Sequence, residues 1–281
     1  SSESSAASAE SASSEETTGG DMTGEITVLS REDGSGTRGA FIELTGVEEK
    51  TADGKKVDNT TADAEIANKT DVVLTSVAGN EKAIGYISLG ALNDTVKAVK
   101  VDGAEATVDN VKNGSYKLSR PFNIATKGEP TGVAKDFINF ILSKDGQAVV
   151  TDNKYIAVDD AAESFVSDGS SGKIAVGGSS SVSPVMEKLI EAYKNVNPNA
   201  AIDLQTSDST SGMTGTMDGT FAIGMASREL KDEEAAQLTG TAIALDGIAV
   251  IVNPANTIDE LSMDQIKSIY VGDITDWGDL A

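Results

Sequence analysis

Two short runs of glycine and hydroxyl residues hold the groups best suited to chemistry in this chain. They are Arg31-Glu32-Asp33-Gly34-Ser35-Gly36-Thr37-Arg38 and Gly177-Gly178-Ser179-Ser180-Ser181-Val182-Ser183-Pro184. Each follows an apolar, strand-like stretch (Ile26 to Leu29, and Ile174 to Val176) and precedes a segment with helical periodicity. A strand, a turn rich in glycine and hydroxyls, and then a helix start is how α/β proteins hold oxyanions. The free N–H groups of the first helical turn point at the ligand, and the helix dipole favours negative charge there. A third cluster, Ser209-Thr210-Ser211-Gly212-Met213, has the same character. Together the three predict one small anion gripped from several sides. Taken singly, each also has a plainer reading: a helix cap at Ser179 to Ser183, a turn at Ser209 to Gly212, a surface ion pair at Arg31 and Asp33.

The elements that must position these groups follow from periodicity. Ile26 to Leu29 reads as a buried strand and Arg38 to Leu44 as a helix. Thr51 to Lys69 reads as loop with a helical piece. Strands are expected at Asp71 to Val77, Ala83 to Ser88, Val96 to Val101, Ala106 to Val108 and Phe122 to Thr126. The spacing of Val133, Phe137, Ile138 and Ile141 predicts an amphipathic helix over Gly132 to Leu142. Ser167 to Gly172 (SDGSSG) is a flexible linker by composition. Beyond it come strand Ile174 to Val176 and a helix from Val182 to Lys194, with Pro184 in its first turn. Strands at Ala201 to Gln205, Phe221 to Met225 and Ile243 to Val252 and a helix at Met263 to Tyr270 complete the pattern. Strands alternating with helices define an α/β protein, long enough for two lobes.

Composition excludes several classes of function. The 281 residues carry a formal net charge of −23, from 22 basic and 45 acidic side chains. That balance argues against nucleic acid and against an anionic membrane surface as partners. An anion site is still possible if it is built from local dipoles and one or two placed cations. The chain has no cysteine and no histidine, which removes disulfides, Cys/His metal sites and every His-based triad. No metal, cofactor or catalytic constellation is expected, because no nucleophile has a base partner. No apolar run reaches the length of a membrane span. Residues 1 to 24, rich in Ser, Ala, Glu, Thr and Gly, read as a solvated tether in a mature or trimmed form, with a lipidated cysteine lying upstream of Ser1.

Seven motifs resemble the substrate-binding proteins of bacterial phosphate ABC importers: SREDGSGTRGAF (30–41), AIGYISLG (83–90), FINFILSKDGQ (137–147), GGSSSVSPVMEKL (177–189), IGMASRELK (223–231), DGIAVIVNPAN (246–256) and IYVGDITDWGDL (269–280). The resemblance covers nearly everything beyond the tail. Their order is cyclic relative to the family, whose GSSSV-type motif opens the domain, so the resemblance implies a circularly permuted, two-lobed periplasmic binding protein type II fold. It implies one lobe from 25–92 with 242–281 and another from 93–166 with 173–241, with 167–172 as the permutation joint and the anion in the cleft.

The resemblance also implies roles. Arg31 gives a planar fork to two phosphate oxygens, and Asp33 pairs with Arg31 and orients it. Ser35, Gly36 and Thr37 supply amides and hydroxyls; Ser180, Ser181 and Ser209 supply donors from the other lobe. Ser227 stands where many members have an aspartate that accepts the phosphate's own proton and so rejects sulfate. With a serine there, a receptor for another oxyanion such as sulfate or molybdate remains open, with Asp208 as an alternative acceptor. So does a surface adhesion or signalling protein of the same fold. The implied partners are inorganic phosphate and a membrane permease, with the protein a monomer outside the cytoplasm. Arg228 could reach the ligand, while Trp277 and Tyr270 read as packing residues and Asp246 as part of a hinge.

Overall fold

The computed structural model describes residues 22–280. Along the chain run β1 (Thr27–Arg31), α1 (Gly36–Thr45), β2 (Glu48–Lys50), β3 (Lys56–Asp58), β4 (Glu65–Ala67), α2 (Thr70–Ala78), β5 (Ala83–Ser88), β6 (Lys97–Ala98), β7 (Lys100–Val101) and α3 (Val108–Lys112). The middle of the chain forms β8 (Ser119–Thr126), α4 (Gly132–Leu142), α5 (Lys144–Asp152), β9 (Gly172–Ser179), α6 (Ser183–Val196), β10 (Ala200–Ser207), α7 (Ser209–Met217), β11 (Ile223–Ala226) and α8 (Asp232–Ala235). Then come the long β12 (Thr239–Val252), β13 (Glu260–Leu261) and α9 (Met263–Tyr270).

The main sheet has the order β10-β9-β11-β8-β12-β5-β1-β4. Among its parallel pairs, the strands of β9 with β10 and of β1 with β4 each lead into an α-helix, as an α/β layer requires. Strand β12 links the two halves. Thr239 to Gly247 pairs antiparallel with β8, and Ile248 to Val252 pairs antiparallel with β5. The hydrophobic cores divide at the same place. Phe41, Tyr86, Val99, Tyr116, Leu118, Ile248 and Trp277 pack in one cluster, and Phe122, Phe137, Met186, Tyr193, Ile223 and Ile243 in another. The chain therefore passes between lobes at Leu118–Ser119 and again inside β12 at Gly247–Ile248.

This division corrects the expected boundaries. Val99, Val101, Val111, Tyr116 and Leu118, expected in the second lobe, lie in the core of the first. Met22 packs in that core too, Gly24 N–H donates to Asp276 Oδ1 (3.0 Å), and Trp277 N–H donates to the Gly24 carbonyl (2.9 Å). The expected tether therefore ends before Met22, and its remainder, 1–21, lies outside the described residues. The 167–172 segment is largely exposed but tied down. Asp136 accepts from Ser167 Oγ (2.7 Å) and Asp168 N–H (3.0 Å), and Asn197 Nδ2 donates to the Ser170 carbonyl (2.8 Å).

Local physics also explains where elements differ from expectation. Asp71 to Val77 lies in α2, not in a strand: its β-branched residues suggested β, yet Val73, Leu74 and Val77 are buried at helical spacing while Val72 is 45% exposed. Ala106 to Val108 forms no strand, because the Thr107 hydroxyl accepts from Asn110 N–H and starts α3. Thr51 to Lys69 holds β3 and β4 and no helix. Ser143 ends α4 and caps α5, which the sequence reading missed.

Candidate functional site

Strand β1 delivers Arg31 to the head of a tight turn closed by Ser35 N–H donating to the Glu32 carbonyl (3.1 Å). Tyr86 fixes the strand end, with its hydroxyl 2.8 Å from Ser30 Oγ and accepting from Arg31 N–H (3.3 Å). Phe41 stacks on Tyr86 at 3.9 Å between centroids, so α1 and the strand are locked together under the turn. The Ser35 hydroxyl caps α1 by accepting from Arg38 N–H (3.2 Å). The amides of Gly36 and Thr37 are left at the helix start, where no intrahelical acceptor exists.

From the second lobe, the Ser179 hydroxyl accepts from Ser181 N–H (3.2 Å) and folds the turn that opens α6. Asp208 caps α7 by accepting from Ser211 N–H (2.7 Å), which places Ser209 at its first position. The sheet end at β11 brings in Ser227, whose N–H donates to Ser209 Oγ (3.0 Å) and whose hydroxyl accepts from Ser179 (2.9 Å).

These clusters meet. Arg31 Nη2 donates to Ser180 Oγ (3.0 Å), Thr37 Oγ1 lies 2.8 Å from Ser181 Oγ, and Thr210 N–H donates to the Gly34 carbonyl (3.1 Å), each across the lobe boundary. A methyl group at Gly36 would collide with the hydroxyls of both Ser209 and Ser227, so only glycine admits this approach. Three helix N-termini, those of α1, α6 and α7, thus converge with one guanidinium. Of the expected site residues, Arg31, Ser35, Gly36, Thr37, Ser181, Ser209 and Ser227 are buried, and Ser180 is half-buried. Beside Ser180 and Ser181 the cleft opens into a cavity of about 280 Å³, with Thr70 and Ser88 on one side and Tyr155 and Thr206 on the other.

Two expectations are corrected here. Asp33 does not orient Arg31: its side chain is fully exposed and its nearest cation is Arg38, at 3.9 Å. Glu32 does so instead, accepting from Arg31 Nε (3.0 Å) and Nη2 (2.9 Å). The turn rotates Asp33 outward and leaves its neighbour over the guanidinium. The fork expected to face the anion is therefore spent on Glu32, and the atom left over is Arg31 Nη1, buried and without a hydrogen-bond partner among the described residues. A buried, unpaired guanidinium N–H costs energy unless an acceptor meets it.

Arg228 binds Glu234 (2.7 Å) and Thr210 Oγ1 (3.2 Å), which accounts for its charge. Trp277 and Tyr270 are buried packing residues, donating to the carbonyls of Lys82 and Leu29. Sequence reasoning missed Glu32 as the partner of Arg31 and missed Arg120, and it read Ser179 only as part of a helix cap. Arg120 on β8 lies opposite Asp246 on β12 where the chain passes between lobes, with Nη2 3.5 Å from Asp246 Oδ2. Burial pushes the Asp246 carboxyl up to about 6, against the pull of Arg120 and Ser88. Burial likewise lowers Arg120 to about 10, with Asp246 opposing and Arg31 adding to the shift.

Sheet order, two lobes and a cleft of converging helix N-termini define a two-lobed solute-binding-protein fold. A family model described as a PBP superfamily domain matches residues 13–145 and 164–281. The phosphate-binding protein PstS 2 of Streptococcus agalactiae is 54% identical over 92% of this chain and 88% of that protein. PstS 2 of Streptococcus pneumoniae is 50% identical over 90% of this chain and 87% of that one. The crystal structure of a phosphate ABC transporter, phosphate-binding protein from Streptococcus pneumoniae TIGR4 superposes with a TM-score of 0.75 at 50% identity, covering 92% of this chain and all of that one. The chain belongs to the PstS family of phosphate-binding proteins.

Proposed function

We propose that this protein is an extracytoplasmic receptor that closes its two lobes on inorganic phosphate and delivers it to the membrane permease of an ABC importer. The observation that carries this reading is the meeting of Ser35 to Thr37, Ser180, Ser181, Ser209 and Ser227 across the lobe boundary around the unpaired Nη1 of Arg31. A tetraoxyanion stripped of water needs a donor for every oxygen, and helix amides, hydroxyls and one guanidinium can supply them without a bulk positive charge. The reading involves no covalent step and no cofactor, and the protein acts as a monomer. In it, the Ser-, Ala- and Glu-rich segment ahead of Met22 is a tether to a lipid anchor. The largely exposed 167–172 segment, which joins α5 to β9 within one lobe, is the joint of the cyclic motif order.

One observation favours a second reading, a receptor for another oxyanion such as sulfate. The Ser227 hydroxyl accepts from Ser179 and lies 3.4 Å from Ser209 Oγ, and a hydroxyl, unlike a carboxylate, can donate to an oxyanion as well as accept from it, so it does not demand a proton on the ligand. Calorimetric titration with phosphate and with sulfate between pH 5 and 8 separates the two. The first reading expects phosphate to bind far more tightly than sulfate. Tight sulfate binding with indifference to phosphate overturns it.

A further inference from the structure

Arg120 is wholly buried, 107 residues from Ser227 in sequence, yet its Nη1 donates to the Ser227 carbonyl (3.1 Å). Ser227 is thereby held from three elements: its N–H by Ser209 on α7, its hydroxyl by Ser179 on β9, and its carbonyl by Arg120 on β8. The other end of the guanidinium reaches Asp246 (3.5 Å), and that carboxylate also accepts from the Ser88 hydroxyl of β5. Ser88 belongs to the first lobe and Arg120 and Ser227 to the second, while Asp246 sits at the crossing itself. Ser88 also lines the cavity beside Ser180 and Ser181. Any rotation of one lobe on the other moves Ser88 relative to Arg120, and Asp246 bonds to both.

A buried ion pair is a poor stability device, since well-packed apolar residues of similar volume often serve as well or better. This one also leaves Arg120 Nε buried and without a partner among the described residues. Its partners suggest another use. We propose that Arg120 is a positioning residue of the anion site, which transmits the geometry of the lobe crossing, through Asp246, to Ser227. The inference rests on the phosphate reading. The guanidinium does not touch the anion; it sets where the Ser227 hydroxyl stands when the lobes are closed.

The test uses the whole protein, phosphate calorimetry and the melting temperature of the unliganded form. Replacing the pair as a unit, Arg120→Met with Asp246→Leu, removes both charges and leaves none orphaned. The double variant is expected to melt within a few degrees of the parent, because the pair is not what holds the fold together. It is also expected to bind phosphate about tenfold or more weakly, the scale of one lost positioning hydrogen bond. Arg120→Lys keeps a donor for the Ser227 carbonyl and should recover part of that loss. Ser88→Ala, which loosens Asp246 without leaving an unpaired charge, should weaken phosphate binding severalfold at unchanged melting temperature, and it carries the test should the double variant not fold. A double variant that binds phosphate as the parent does, or a Ser88→Ala protein with unaltered affinity where the double variant does not fold, overturns the proposal. The parent's own titration reports on the phosphate reading; the ratio of variant to parent reports on Arg120.

Discussion

Thr37 and Ser181 meet hydroxyl to hydroxyl at 2.8 Å, although 144 residues separate them in the chain. One stands at the start of α1 in the first lobe and the other ahead of α6 in the second, so this contact exists only when the lobes are together. Both side chains are buried by it. A buried hydroxyl pair left half-made costs about 1–3 kcal/mol, so each lobe depends on the other to satisfy the groups it offers the ligand.

Thr37→Val should therefore shift the protein toward an open form and weaken phosphate binding by roughly tenfold. Small-angle scattering of the unliganded variant would show a larger radius of gyration than the parent. An unchanged radius with unchanged affinity would mean that the pair does not hold the lobes.

Arg31→Ala removes the group with the unpaired Nη1 and leaves Glu32 without its cation. The expected loss in phosphate binding is about 2–5 kcal/mol, the scale for truncating one partner of a buried charge pair. Asp33→Ala should bind as the parent does, because its carboxylate is in solvent. Calorimetry on both checks the exchange of roles between Glu32 and Asp33, and a loss at Asp33 equal to that at Arg31 would reverse it.

Ser227→Asp would place a committed acceptor among Ser179, Ser209 and the helix starts. A protonated phosphate can donate to it, and sulfate cannot. The ratio of phosphate to sulfate affinity at pH 6 should rise by about tenfold or more. A ratio that stays put would show that Ser227 does not face the anion.

Stability should peak in mild acid. Asp246 has a carboxyl raised from 3.8 to about 6 by burial, so between those values the folded form holds the proton that the unfolded chain has lost. Its contribution is fully present below the ordinary carboxylate value and is lost as pH rises through about 6. Asp136 runs the other way. Burial alone would raise it, but hydrogen bonds from Asp168, Tyr193 and Ser167 outweigh that and hold it below 3.8. Its contribution is present above the ordinary value and is lost as pH falls below it. Melting temperature should therefore rise from pH 7 to 5 and fall below 4. Calorimetric scans that decline steadily from pH 7 to 5 would contradict this.

Much of the architecture was legible because it is local. Ala83–Ser88, Gly132–Leu142 and Met263–Tyr270 have the bounds that periodicity predicts. Asp71 to Val77 was misread because its β-branched residues speak for a strand, while the buried face of α2 depends on packing under β5. The hydroxyl clusters were visible as clusters, since a strand followed by such a turn has few other uses. Which carboxylate serves Arg31 was not visible, because Glu32 and Asp33 differ only in how one turn rotates them. Nor was the Arg120–Asp246 pair, whose members lie 126 residues apart and meet through antiparallel register alone.

Strand β12 spends its first nine residues on one lobe and its last five on the other without a break in the backbone. Neither half can melt by itself without stripping a central neighbour from what remains. Heat or denaturant should therefore meet a single cooperative unit, and a fragment cut to contain only one lobe would lose the ribbon around which its layers are assembled.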